Sequence, residues 1–150
     1  MGLEGAGREM NDLRVTLVQA DLAWEDRGAN LKALKETIAA LADPGDLIVL
    51  PEMFATGFSM SPQDLAETMT GDSVEWLRRI AASTRAAVTG SLMIQDGGRY
   101  YNRLLWVEPD GLISAYDKKH LFTFAGEDRV YTAGTASLQV AFNGWQIRPM

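Results

Sequence analysis

One pattern limits this chain more than any other. "LRVTLVQADL" (13–22) is β-branched and apolar, "NLKALKETIAALADPG" (30–45) repeats Leu31, Leu34, Ile38 and Leu41 at helical spacing, and "DLIVL" (46–50) is again extended and apolar. Asn30 can cap the helix, and Pro44-Gly45 stops it. A strand, a helix and a strand in that order make a crossover unit, which favours a parallel strand pair buried on both faces. The fold class expected is therefore α/β.

The remainder adds one helix and a run of strands. "SVEWLRRIAASTRA" places Val74, Leu77, Ile80 and Ala81 on one helical face, with Asp72 or Ser73 as cap and Glu75 behind it. "AVTGSLMI" reads as a third strand. "YYNRLLWVEPDG" and "LISAYDKKHLF" read as two strands around Pro109-Asp110-Gly111, and "SLQVAFNGWQIRPM" as two more around Asn143-Gly144. The glycines of "QDGGRYYN" suit a hairpin turn rather than a phosphate loop. Trp76, beside an apolar helical face, reads as packing.

Composition excludes several chemistries. The 150 residues hold no cysteine and one histidine, His120, so disulfides, thiolate metal sites, cysteine catalysis within this stretch and a His-rich metal centre are all ruled out as readings. A net charge of −6 argues against nucleic acid or an anionic membrane as partner. "MGLEGAGREMND" lacks the apolar core of a secretory signal; residues 1–12 are expected to be a disordered leader, residues 13–150 the domain, and the compartment cytoplasmic.

Two features carry possible chemistry. Glu52 follows the apolar run of 47–50 and Pro51, at the end of a strand expected to be parallel, where α/β folds place catalytic groups. Flanked by Met53, Phe54 and Phe58, it should be partly desolvated, an environment that suits a general acid or base. Phe54, Phe58 and Met60 can equally shape a substrate pocket or pack a core. In "YDKKHLF", strand alternation sends Lys118 and Lys119 to opposite faces, so one of them can point inward. Such a lysine can pair with a glutamate or hold an oxyanion. His120 reads as a structural hydrogen-bonding residue.

"VLPEMFATGFSM", "YDKKHLF" and "EDRVYTAG", in this order, resemble the nitrilase or carbon–nitrogen hydrolase superfamily, and "PEMFATGFSM" is similar to its omega-amidase branch, which hydrolyses 2-oxo acid monoamides such as 2-oxoglutaramate. The resemblance runs from Leu13 to Met150. It implies a four-layer αββα sandwich, with Glu52 as catalytic glutamate, Lys118 rather than Lys119 as catalytic lysine, and Glu127, seven residues before Gly134, as a further glutamate. The family's third member is a cysteine expected within a few residues beyond "WQIRPM". The chain is therefore expected to be incomplete at its C-terminus and, as written, inactive. No cofactor or metal is implied; a small-molecule amide substrate and, in the complete protein, a homodimer are. The alternatives are an amidase or nitrilase of the same superfamily with a different substrate, and a non-catalytic binding or assembly protein that keeps the fold.

Overall fold

The structure, a computed structural model, describes residues 12–150. The leader expected over 1–12 thus lies, Asp12 apart, outside the described residues. The first unit is β1 (Val15–Leu17), α1 (Arg27–Ala39) and β2 (Leu47–Val49), followed by a short α2 (Pro62–Leu65) and by α3 (Asp72–Thr84). Long strands β3 (Ala87–Asp96) and β4 (Arg99–Val107) follow, then β5 (Ile113–Asp117), two single 3-10 turns, β6 (Val140–Phe142) and β7 (Trp145–Ile147).

β1 to β5 form one sheet in chain order. β1–β2 and β2–β3 are parallel, and the β3–β4 and β4–β5 hairpins are antiparallel. Gly97 and Gly98, both at positive φ, make the first hairpin turn. β6 and β7 pair around Asn143-Gly144 as a separate two-stranded sheet.

The pleat divides the core between two faces. Ile48, Val88, Leu105 and Val107 pack against Leu34 and Ile38 of α1 and Val74 and Leu77 of α3. Leu47, Ala87 and Trp106 point the other way and meet Val140 and Phe142 of the small sheet, with Phe142 edge-on to Trp106 at 5.5 Å between centroids. Among the described residues the order of layers is helices, sheet, small sheet. These are three layers of the expected four; a second helix layer is not among them.

Several local expectations need correction. α1 starts at Arg27, where Asp26 caps it by accepting from Ala29 N. Asn30 lies inside the helix, buried, with its side chain bonded to the Ala23 backbone and to Ala55 O. α3 is capped by Gly71, and its Ser73 N donates to Glu67 Oε1 from outside the helix. β2 is buried as expected, but β1 lies at the sheet edge, with Leu17 75% exposed.

Candidate active site

Three chain segments meet on the sheet face opposite the helices. Leu50 N still donates to Thr89 O beside β3, but Pro51 ends the ladder and the chain turns. At Met53 the backbone takes φ 47°, an unusual left-handed conformation for a residue with a side chain. It is held there because Met53 N donates to Ser91 Oγ and Met53 O accepts from Thr56 N and Gly57 N. This tight turn fixes Glu52 at the end of β2.

The β4–β5 ladder runs one step past β5, where Lys118 N donates to Asn102 O. Asn102 and Lys118 thus stand opposite each other, with side chains on one face. On the far side of Lys118 runs the segment after the 3-10 turns, with Gly134 N donating to Lys118 O. A Cβ on Gly134 would lie 2.1 Å from Asp117 O, so this approach requires glycine.

Four side chains then close a ring. Lys118 Nζ donates to Glu52 Oε1 (2.7 Å) and to Glu127 Oε2 (2.9 Å), while Asn102 Nδ2 donates to Glu52 Oε1 (2.7 Å) and to Glu127 Oε1 (2.9 Å). Glu127 is fully buried and also accepts from Phe122 N at 2.6 Å, so both of its oxygens are engaged. Phe58 lies under Lys118, its ring centroid 5.1 Å from Nζ. Burial pulls the Lys118 pKa down, but the hydrogen bonds and charges of Glu52 and Glu127 outweigh it and hold the value above that of a free lysine. Tyr131 donates to Ser59 O, and burial, reinforced by the Glu127 charge, raises its pKa well above the usual phenol value.

A cleft of about 300 Å³ opens over the ring, lined also by Leu50, Ser91, Leu104, Tyr116, His120 and Met150. Glu52, Lys118 and Glu127, distant in sequence, are brought together here. Phe58 joins them, but Phe54 does not: it is fully buried on the helix side, 5.6 Å from Trp76 between ring centroids, and belongs to the core. The Glu52 side chain is 48% exposed and so only half-covered, held by Lys118 and Asn102, while Met53 and Phe54 are themselves fully buried. Lys119 and His120 are exposed, and no hydrogen bond to the His120 ring is present among the described residues, contrary to its structural reading. Among the described residues no group of side chains is arranged to hold a metal ion, and no helix is long and apolar enough to cross a membrane.

Asn102 is the site residue that the sequence reading missed. Its signal was present: in β4 the positions in phase with it, Leu104 and Trp106, are apolar, so a polar amide on that face had to find partners.

The model of the family described as "Carbon-nitrogen hydrolase" matches residues 14–142. The omega-amidase of Yersinia enterocolitica is 41% identical over 93% of this chain and 54% of its own length. The 2-oxoglutaramate amidase of Bacillus subtilis is 27% identical over 81% of this chain and 48% of its own. A solved CN-hydrolase superfamily protein of Xanthomonas campestris, 44% identical, superposes with a TM-score of 0.90, covering 93% of this chain and 53% of that one. The chain spans about half the length of the relatives it matches.

Proposed function

This chain belongs to the carbon–nitrogen hydrolase family, and we propose that it carries the base and the oxyanion-binding cation of an amidase acting on 2-oxo acid monoamides. The observation that carries this is the ring itself: one ammonium lies within 2.9 Å of two carboxylates, one of them open to a cleft. In this reading Glu52 is the general base, Lys118 the cation and Glu127 the buried carboxylate that orients Lys118. Phe58, which is not among the residues lining the cleft, supports the Lys118 ammonium from beneath.

The assigned chemistry follows from what an amide needs. A thiolate attacks the amide carbon and forms a C–S bond, and the carbonyl oxygen becomes an oxyanion that Lys118 stabilises. Glu52 takes the thiol proton and passes it to the nitrogen, which leaves as ammonia from the broken C–N bond. Glu52 then deprotonates water, which cleaves the thioester to a free acid and regenerates the thiol. An ammonium has three hydrogens; Lys118 spends two on Glu52 and Glu127, and the third is free for the oxyanion. The 150 residues contain no cysteine, so the thiol that this chemistry needs is not among them.

The substrate class is supported by the names of the omega-amidase and 2-oxoglutaramate amidase relatives. A homodimer and a cytoplasmic setting belong to the same proposal; sedimentation equilibrium tests the first. The decisive experiment fuses these 150 residues to the part of the Yersinia enterocolitica omega-amidase that the match leaves uncovered. The fusion should hydrolyse 2-oxoglutaramate faster than a simple nitrile, and Glu52→Gln or Lys118→Met should lower kcat by about 10²–10⁴-fold. Faster nitrile turnover would sink the substrate class. An unchanged rate in Glu52→Gln would sink the assignment of the base.

A further inference from the structure

We propose that Asn102 is a positioning residue that decides which oxygen of Glu52 receives the proton. The inference rests on Glu52 being the base and goes further, to one atom of it. The Asn102 amide nitrogen has two hydrogens, and the structure uses both: one on Glu52 Oε1 at 2.7 Å, the other on Glu127 Oε1 at 2.9 Å. Lys118 also donates to Glu52 Oε1, at 2.7 Å. Oε1 therefore carries two hydrogen bonds from fixed donors. Glu52 Oε2 accepts none from the described residues and is left to take a proton.

The type of residue matters as much as its place. Three charged groups face Asn102: Glu52 from the turn after β2, Lys118 from beyond β5 and Glu127 from a 3-10 turn, while β3 contributes Met93 in register. An aspartate there would set a third carboxylate against a single ammonium. A leucine would leave an acceptor of buried Glu127 unmet and Glu52 held by Lys118 alone. A neutral amide satisfies both carboxylates without adding charge. Asn102 can do this because it is itself immobile: it is buried, and its own carbonyl accepts from Lys118 N at 2.9 Å. Since the Glu52 side chain is 48% exposed, Lys118 is the other restraint on its rotation among the described residues.

Two measurements test the assignment. In the 150-residue chain, NMR resolves the two side-chain amide protons of Asn102. Glu52→Gln should move one resonance and Glu127→Gln the other. If Glu52→Gln moves neither, Asn102 does not hold Glu52, and the proposal falls. The fusion described above gives the kinetic test. Asn102→Leu should lower kcat by on the order of 10- to 100-fold with KM changed by less than about threefold. Asn102→Asp keeps the shape and regains a donor when protonated, so its activity relative to the parent should rise as pH is lowered. Parental kcat in Asn102→Leu, or a relative activity of Asn102→Asp that is flat with pH, overturns the positioning role. If the parent does not hydrolyse the amide, or if Glu52→Gln keeps the parental rate, the error lies in the proposed function, and the NMR experiment still decides whether Asn102 holds Glu52.

Discussion

Phe54 and Phe58 are four residues apart in one loop and end on different sides of the sheet. Phe54 fills the helix-side core, while Phe58 lies beneath the Lys118 ammonium. Phe54→Ala should therefore lose about 3–5 kcal/mol of stability in chemical denaturation, the usual cost of emptying a buried aromatic site. Phe58→Ala should cost far less stability and instead weaken amide binding measured by calorimetry; a large stability loss with unchanged binding would reverse the two roles. Alkali tests the buried end of the site. Lys118 and Tyr131 both have folded-state pKa values raised above their ordinary values of 10.5 and 10.0. Their contributions are fully present below about pH 10 and are lost as pH rises through the raised values, because the unfolded chain releases its protons first. Thermal stability should thus be level up to about pH 9.5 and fall above pH 10, and Tyr131→Phe should make that fall shallower. An equal slope in the variant would remove Tyr131 from the account.

Among elements, the segment from the 3-10 turns to Gly134 matters out of proportion to its regularity. It carries Glu127 inward and then passes so close to Asp117 that a methyl group at Gly134 would overlap a backbone carbonyl. Gly134→Ala should push this segment away from Lys118. Expected are a loss of stability of roughly 1–3 kcal/mol and, in the fusion, a kcat reduced although no site residue has changed. Parental activity would show that the approach is not needed. Sequence patterns disclosed the regular elements well: the crossover unit, the α3 face and both later hairpins rest on local spacing and turn chemistry. They failed where tertiary contact overrode local preference. Asn30 had the right type for a cap but lay within reach of the Ala23 and Ala55 backbones, and Asp26 took the cap. The motifs placed Glu52, Lys118 and Glu127 through resemblance, but Asn102 emerges only when β4 and β5 are set in register. Glu52 was expected to be partly desolvated by its neighbours in sequence; of these, Phe54 packs into the helix-side core, while Phe58 lies beneath the Lys118 that binds Glu52.

At the scale of the molecule, the site depends on joining what the chain keeps apart. Glu52 precedes the Gly97-Gly98 turn; Asn102, Lys118 and Glu127 all follow it. That turn is open, since a Cβ at either glycine meets nothing within 4 Å, and the two sides are bound by a ladder from Val88–Val107 to Asp96–Arg99. Exposed hairpin tips of this kind are where a chain tolerates a break. Cleaved between Gly97 and Gly98, the protein should stay associated and unfold in one transition on calorimetry; separation of the pieces on gel filtration would show that the covalent turn is needed. The consequence is a two-part reporter. One half would bring Glu52 and the other its three partners, so that any process driving the halves together could be read from the reassembled ring.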